Sequence, residues 1–293
     1  MTAMLEIRLQ IDRTASGGAT LLRAIDIVDR RPNVGAALAG LAAPAALDLI
    51  GRLYGICGSA QRLAARLALC AAGREDRPPE PAMHDAVRRE RVQEHAWRLL
   101  VDWPRAVGMP ADTARLRAVL AELASADSLE RSGRRLQSLL ADLSTVPHAG
   151  IDTLLAAIAA REARVRTDDA TRPVSTRVAS RAEALRRELA SWTGEAAPPP
   201  AAGTAQAMAP GMGRSEVATA RGPLSHEVRL QADRVAQWDI VVPTDRHFAS
   251  DGPLPQLIAG IHADDDAGYR EAASDCVRAL DPCVEWNVEV RHA

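Results

Sequence analysis

The long stretch between Pro44 and residue 193 most constrains the fold, because nearly all of it has helical spacing. In its first part, up to about Ala72, apolar side chains recur near one stripe of a helix, namely Leu47, Ile50, Leu53, Tyr54, Cys57, Leu63 and Leu67. Segments rich in Pro and Gly then separate further predicted helices at roughly 80–106, 112–142, 151–165 and 174–193. The pattern predicts a helical midsection.

The composition agrees with closely packed helices. Hydrophobic residues make up 47% of the 293 positions, but aromatic residues make up only 3%. The core must therefore be filled mainly by Ala, Leu and Val. A chain of this length can bury the core of one large domain or of two ordinary ones.

Strand patterns occur near both ends of the chain. In "LEIRLQID" the apolar residues alternate with polar ones, and "LLRAIDIV" follows after a Gly-containing turn at Ser16–Gly18, so residues 4–29 predict a β-hairpin. A second hairpin is predicted from "HEVRL" and "RVAQWDIVVPT", with Trp238 and Ile240 on the same side. The expected fold class is α+β and mainly helical, with hairpins flanking the helical midsection.

The chain divides into three parts. Residues 1–194 form an N-terminal hairpin and helical region. Residues 195–213 are rich in Pro, Ala and Gly and have too few large apolar side chains to bury, which predicts a flexible linker. Residues 214–293 contain the second hairpin, a helix and an Asp-Pro-Cys corner. We expect this last part to pack against the first as one unit.

Charge and cysteine usage exclude several functions. All 36 basic residues are Arg, and with 38 acidic residues the net charge is -2, so no general electrostatic attraction to nucleic acid is expected. No apolar run is long enough to span a bilayer. The four cysteines are too few and scattered for a secreted disulfide framework. We expect a cytoplasmic protein whose cysteines are thiols.

Two of the thiols lie in conformationally constrained segments. Cys57 lies between Gly55 and Gly58 in "LYGICGSAQ", and Cys283 follows Pro282 in "ALDPCVEW". Neither segment contains a Cys-x-x-Cys pair, so spacing alone leaves two possibilities open: metal ligation or burial as small apolar side chains. Two further thiols, Cys70 and Cys276, lie on predicted helices among apolar residues and are assigned to core packing.

Several segments together resemble the large subunit of nickel-iron hydrogenases. They are, in the order of that family, "RRPNVGAALAG", "LIGRLYGICGSAQ", "ATARGPLSHEVRL", "IVVPTDRHF" and "LDPCVEW". The resemblance extends from about residue 5 to the end of the chain, which is much shorter than the family's usual length. It implies a large-subunit-like fold.

Departures from the family pattern exclude its reaction. Ala60 and Trp286 stand where the family has its second thiols, and Ala37 stands where it has a glutamate that transfers protons. A metal centre that needs four thiolates cannot be completed with two, and the proton-transfer carboxylate is missing. We therefore expect no enzymatic activity. By position, the thiols that remain correspond to the family's nickel-only ligands.

The resemblance also implies roles for the matching residues. Arg221 matches an arginine that donates hydrogen bonds to a cyanide on the family's iron, and Thr244 after Pro243 matches a hydroxyl that binds the other cyanide. A permanently charged, planar guanidinium and a hydroxyl suit such anionic acceptors. Cys57 and Cys283 would then supply thiolates to the iron.

A shortened chain with one thiol in each motif resembles the hydrogenase maturation proteins of the HupK and HoxV type, as does "VQEHAWRLLVDWPRAVG". This implies a scaffold that transiently holds an iron-cyanide-carbonyl group. It also implies three partners: the precursor of the hydrogenase large subunit, a small hydrogenase chaperone and the complex that assembles the iron group. The alternatives are a metal-free structural or regulatory partner, or an enzyme with a reduced metal requirement.

Other polar residues have simpler interpretations. Glu94 and His95 are expected to make a helix contact rather than to act in catalysis. Asp264–Asp266 is interpreted as the solvated start of a helix. Three histidines remain unassigned because none has a partner at metal-ligand spacing: His226, His247 and His292.

Overall fold

The computed structural model describes residues 4–13, 20–73, 78–125, 128–144, 149–167, 174–197 and 202–292. The strands are β1 (Met4–Arg13), β2 (Thr20–Asp29), β3 (Arg166–Thr167), β4 (Gly203–Ala209), β5 (Met212–Thr219), β6 (Gly222–Gln231), β7 (Arg234–Val241), β8 (Ile261–His262) and β9 (Glu285–His292).

The helices are α1 (Val34–Leu38), α2 (Ala43–Leu53), α3 (Gly58–Ala71), α4 (Pro81–Trp97), α5 (Trp103–Ala106), α6 (Thr113–Ala124), α7 (Leu129–Leu139), α8 (Ala141–Ser144), α9 (Ala149–Glu162), α10 (Val174–Thr193), α11 (Pro243–His247), α12 (Pro253–Ala259) and α13 (Asp266–Leu280). A π-helical turn, Arg98–Asp102, joins α4 to α5. The mainly helical α+β class is confirmed.

The first sheet joins the two ends of the described chain. Its strand order is β2-β1-β9, in which β1 pairs antiparallel with β2 and parallel with β9. The predicted N-terminal hairpin is therefore confirmed, although its turn at 16–18 lies outside the described residues. The alternating residues Leu5, Ile7, Leu9 and Ile11 are fully buried. Their burial anchors β9, and with it the Asp-Pro-Cys corner just before that strand.

The second sheet is an antiparallel meander of order β4-β5-β6-β7. The predicted pairing of β6 with β7 is confirmed. Gly213 on β5 lies so close to α3 that an added Cβ would be 2.1 Å from the backbone oxygen of Ala68. Only a glycine therefore allows this helix to pack directly on the sheet.

The expectation of a flexible linker over 195–213 is wrong for its second half. β4 lies there and pairs with β5 along its length, while residues 198–201 lie outside the described residues. Composition misled the prediction because the side chains of β4 after Gly203 are indeed exposed. The backbone hydrogen bonds of a sheet order such a strand without burial of its side chains.

The helical midsection is confirmed, but two predicted helices are divided. The segment 112–142 forms α6, α7 and α8, because Asp112 and Ser128 each cap a new helix by accepting a backbone N–H. The segment 44–72 divides into α2 and α3 at residues 54–57. This second break places Cys57 immediately before a helix. No helix among the described residues is long and apolar enough to cross a membrane.

Candidate site at Cys57 and Cys283

Cys57 is positioned by the start of α3. It is the residue that precedes the helix, and its carbonyl accepts the first helical hydrogen bond, from the backbone N–H of Gln61. The Glu90 carboxylate of α4 accepts hydrogen bonds from the backbone N–H groups of Ser59 at 2.7 Å and Ala60 at 3.3 Å. Glu90 thus satisfies N–H groups that the first turn leaves without helical partners. These contacts fix the helix start and the thiol beside it.

Cys283 is positioned by the end of α13. The helix stops at Asp281, whose φ of 55° is left-handed, and Pro282 then directs the chain into β9. Three residues after Cys283, Trp286 pairs with Leu5 of β1 in the sheet register. The corner is therefore held between a helix C-terminus and a buried sheet.

The two thiols lie in direct hydrogen-bond contact. The bond that Cys57 donates raises the pKa of Cys57 well above its usual value, and burial raises it further. The same bond lowers the pKa of Cys283 to about 6 against the effect of burial, and the Thr244 hydroxyl and Arg221 add to this lowering. The pair loses its first proton readily and its second with difficulty.

Thr244 contacts Cys283 twice. Its hydroxyl oxygen lies 3.5 Å from the Cys283 sulfur and accepts a hydrogen bond from the Cys283 backbone N–H at 3.4 Å. Pro243 begins the short helix α11, and the Asp245 side chain accepts the backbone N–H of Val242 at 2.7 Å just before it. Thr244 is buried, so its hydroxyl serves the site rather than solvent.

Arg221 is held from behind by acidic groups. Its Nε donates to the backbone oxygen of Asp281 at 2.9 Å, and its Nη2 donates to the Glu94 carboxylate. Burial lowers the pKa of Arg221, but the carboxylates of Asp281 and Glu94 outweigh this effect and raise it above its usual value. The guanidinium stays charged. Among the described residues its Nη1 makes no hydrogen bond.

The side chain of Asp281 is the hub of this region. It is fully buried and forms ion pairs with three arginines: Arg98, Arg181 at 3.0 Å and Arg221 at 3.3 Å. One residue thus anchors the guanidinium of Arg221 and ends the helix that precedes Cys283.

All five residues singled out in the sequence line one cavity: Cys57, Arg221, Pro243, Thr244 and Cys283. That cavity measures only about 10 Å³, enough for a single water molecule. A cleft of about 660 Å³ is also lined by Cys57 and Cys283. Both cysteines therefore line a small cavity and a much larger cleft.

A buried hydrogen-bond chain behind Cys57 was missed in the sequence. Trp238 Nε1 donates to His226 Nδ1 at 3.2 Å, His226 Nε2 donates to the Gln61 side-chain oxygen at 2.7 Å, and Gln61 Nε2 donates to the Cys57 sulfur at 3.7 Å. The sequence contained one signal, because Gln61 lies one helical turn after Cys57. The pairing of His226 with Gln61 depends on the contact between β6 and α3.

The other candidates have structural roles. Cys276 lies in the main core, where burial raises its pKa to about 12. Asp265 caps α13 by accepting the Gly268 N–H at 2.7 Å, in agreement with the interpretation of the acidic run as a helix start. Glu94, expected to make a helix contact, holds Arg221. Trp286, where a second thiol would stand, lies against the guanidinium of Arg278.

The described residues contain no cluster of three or more His, Cys, Asp or Glu side chains that could hold a metal ion. Metal ligation at this site would therefore depend on two sulfur donors. Thiolates are soft ligands that suit iron, and the lowered pKa of Cys283 makes one of them available near neutral pH. Arg221 and Thr244 can donate hydrogen bonds to anionic groups on such a metal without ligating it.

Comparison with solved structures defines the class of protein to which this fold belongs. A chain of the Ni-Fe-Se hydrogenase from D. vulgaris Hildenborough in the reduced state is similar at a TM-score of 0.60, covering 92% of this chain and 94% of that one at 10% identity. The Ni-Fe-Se hydrogenase from Desulfomicrobium baculatum gives 0.61, covering 93% and 95% at 10% identity. The fold is that of nickel-iron hydrogenase large subunits, as the sequence predicted.

Sequence relatives define the family within this class. The hydrogenase expression/formation protein HupK of Rhodobacter capsulatus is 31% identical over 84% of this chain and 86% of its own length. HupK of Azotobacter vinelandii is 28% identical over 98% and 99%, and HoxV of Cupriavidus necator is 26% identical over 86% and 89%. No family model matches the chain. The chain belongs to the HupK family of hydrogenase expression/formation proteins.

Proposed function

We propose that this protein is a non-catalytic scaffold in hydrogenase maturation that transiently holds an iron-cyanide-carbonyl group before its transfer to the nickel-iron hydrogenase large subunit. The names of its relatives support a role in hydrogenase formation. The observation that carries the proposal is the direct contact of Cys57 with Cys283, beside Thr244 and Arg221.

The donor set explains why holding would be temporary. Two thiolates, one from each end of the chain, would ligate the iron, while Arg221 and Thr244 would donate hydrogen bonds to its cyanide nitrogens. Two protein ligands hold a metal less firmly than the closed ligand sets of structural metal sites. A site of this kind suits a cargo that must be passed on.

Loading would require the two thiols to separate. The cavity beside Arg221 has room for about one water molecule, and an iron atom with several diatomic ligands is much larger. The adjoining cleft of about 660 Å³ reaches the same sulfur atoms. We infer that the group enters through this cleft and replaces the hydrogen bond between the thiols.

The rim of the cleft suits protein partners. Leu53, Ile56 and Val241 line it and are 49%, 43% and 37% exposed, which is unusual for large apolar side chains that lie together. We propose that the partners are the large-subunit precursor, a small hydrogenase chaperone and the complex that assembles the iron group. Each would have to reach the cleft while the cargo is exchanged.

Infrared spectroscopy tests the ligands directly. Protein purified from a host that contains the assembly machinery should show cyanide and carbonyl stretching bands, with iron present. Cys57→Ala and Cys283→Ala should each abolish the bands, while Cys70→Ala, which is remote from the site, should keep them. Bands that persist in a Cys57→Ala/Cys283→Ala double variant would exclude thiolate ligation.

A second candidate function is that of a metal-free partner of the precursor or its chaperone. The small volume of the cavity and the existing thiol-thiol hydrogen bond favour it. In that case the double variant would restore hydrogenase maturation in a deletion strain, and the wild-type protein would contain no iron. Hydrogen-dependent dye reduction by the pure protein would contradict both candidates and indicate an enzyme.

A further inference from the structure

A separate pocket shares Arg221 with the small cavity at the thiols. It is formed between α10, the end of α13 and the turn before β6, and it measures about 260 Å³. Its nitrogen-bearing side chains are those of His95, Arg177, Arg181, Arg221 and His247. The hydroxyl groups of Thr176 and Ser180 also line it, and none of the described lining residues is acidic.

The charge of the pocket lining is positive because the acidic partners lie behind it. Arg181 and Arg221 both pair with Asp281, which is fully buried and does not line the pocket. The lining surface therefore presents guanidinium groups, while their counter-charge lies deeper. The positive charges of this region also act on His95. Burial lowers the pKa of His95 most, and the charges of Arg181, Arg91 and Arg221 lower it further.

His95 is consequently neutral and has a defined tautomer. Its Nδ1 lies 3.4 Å from Arg181 Nη1. Since the guanidinium can only donate, Nδ1 accepts, and Nε2 carries the proton. The lining thus combines an imidazole N–H, guanidinium groups and the hydroxyl of Thr176, which can donate to a ligand that has several acceptor atoms, whereas the Ser180 hydroxyl donates to the Thr176 backbone oxygen at 2.9 Å.

We propose that this pocket binds a small phosphate-type oxyanion, either inorganic phosphate or the phosphoryl group of a monoester. Planar guanidinium groups bind such oxyanions through pairs of N–H donors. No Phe, Trp or Tyr is present among the described lining residues, so the lining offers no large aromatic ring for a nucleobase. The site recognises the phosphoryl group itself. Arg221 forms a wall shared with the thiol cavity, but the site does not depend on the iron group.

Isothermal titration calorimetry of the full-length, metal-free protein with inorganic phosphate at low ionic strength tests the proposal. We expect saturable binding at one site, with sulfate competing and chloride at equal ionic strength not competing. Arg177→Gln should weaken the affinity at least tenfold. The matched control is Arg187→Gln on the same helix, whose side chain is 66% exposed and lies outside the pocket; its affinity should be unchanged.

Circular dichroism checks that the variants fold. If Arg177→Gln is unfolded, Thr176→Val, which removes the exposed Thr176 hydroxyl of the lining, carries the test and should weaken binding several-fold. Methyl phosphate that binds like phosphate identifies a monoester as an equivalent ligand, and binding of phosphate alone identifies the free ion. Absence of saturable heat, equal weakening by the control variant, or binding only of nucleotides would each overturn the proposal. The infrared test of the iron group contains no phosphate step, so its outcome is independent.

Discussion

The two thiols of the site have different surroundings, neutral hydrogen-bonding groups at Cys57 and charged groups near Cys283. The Cys57 side chain accepts a hydrogen bond from a buried chain of neutral groups, Gln61, His226 and Trp238. Cys283 lies among charged groups, with Arg221 lowering its pKa and Asp281 two residues before it. The hydrogen bond that Cys57 donates is the main reason why Cys283 is the acidic thiol and Cys57 the protonated donor, and Thr244 and Arg221 add to the lowering of the Cys283 pKa. Two residues of one type differ chemically because one donates this bond and the other accepts it.

Among the charged groups near Cys283, Asp281 is the residue whose replacement should have the largest effect. Asp281→Ala would leave Arg98, Arg181 and Arg221 without their shared, fully buried carboxylate. Removal of one member of a buried ionic group costs about 3–5 kcal/mol, and we expect a loss of this size in the free energy of unfolding, measured with urea. Asp251→Asn, at an exposed position, is the control and should change little. A loss below about 1 kcal/mol, the size of an exposed pair, would show that Asp281 is not the hub.

The hydrogen-bond chain behind Cys57 can be tested by lowering the pH, because it contains the buried His226. Burial lowers the pKa of His226 to about 3 from the usual 6.5. Below pH 6.5 the unfolded chain therefore binds a proton at this histidine, whereas the folded protein does not. Stability is therefore lost as the pH falls from about 6.5 towards 3. From pH 7.5 to pH 5.0 we expect His226 to contribute a loss of about 2 kcal/mol.

Urea unfolding at both pH values measures this loss. It should be smaller in His226→Phe and unchanged in the control His84→Gln, which alters a half-buried histidine of α4. An equal pH dependence in wild type and His226→Phe would contradict the assignment.

Gln61 links the neutral chain to Cys57. In Gln61→Leu the buried His226 Nε2–H would lose its acceptor, which costs on the order of 1 to 2 kcal/mol. The Gln61 hydrogen bond also lowers the pKa of Cys57, so its loss should slow alkylation of Cys57 at high pH. Mass spectrometry after timed alkylation measures this rate. Gln93→Leu, at an exposed position of α4, should affect neither quantity.

The smallest effect is expected at Thr244. Its hydroxyl lowers the pKa of Cys283, so Thr244→Val should raise that pKa and reduce the thiolate fraction near pH 6.5. The change corresponds to about 1 kcal/mol, the usual net contribution of one hydrogen bond, and should slow alkylation of Cys283 about twofold at this pH. Thr244→Ser, which keeps the hydroxyl, should behave like the wild type. An unchanged rate in Thr244→Val would leave Arg221 and Cys57 as the groups that make Cys283 acidic.

Much of the fold could be predicted from the sequence, because helices and hairpins depend on residues close together in the chain. The alternation of Leu5 to Ile11 predicted a strand with one buried face, and β1 buries that face. The strand β4 could not be predicted, since its exposed side chains have no hydrophobic pattern. Its order comes from the backbone of β5, a partner that composition does not reveal.

The candidate site shows the same division. Cys57, Arg221, Thr244 and Cys283 were singled out from local motifs, and the structure places all four at one cavity. Glu94 and Gln61 were missed as partners of Arg221 and Cys57, because those partnerships depend on how α4 packs near the β5–β6 turn and how α3 lies against β6.

The sequence by itself determined the local conformations, the two thiols on constrained turns and the absence of two others at Ala60 and Trp286. Tertiary structure alone decided that Cys57 meets Cys283, that Asp281 collects three arginines and that a cationic pocket lies behind Arg221. The physical reason is that periodicity and turn chemistry act within a few residues. Hydrogen bonds, ion pairs and pKa values depend instead on atoms that only folding brings within a few ångströms.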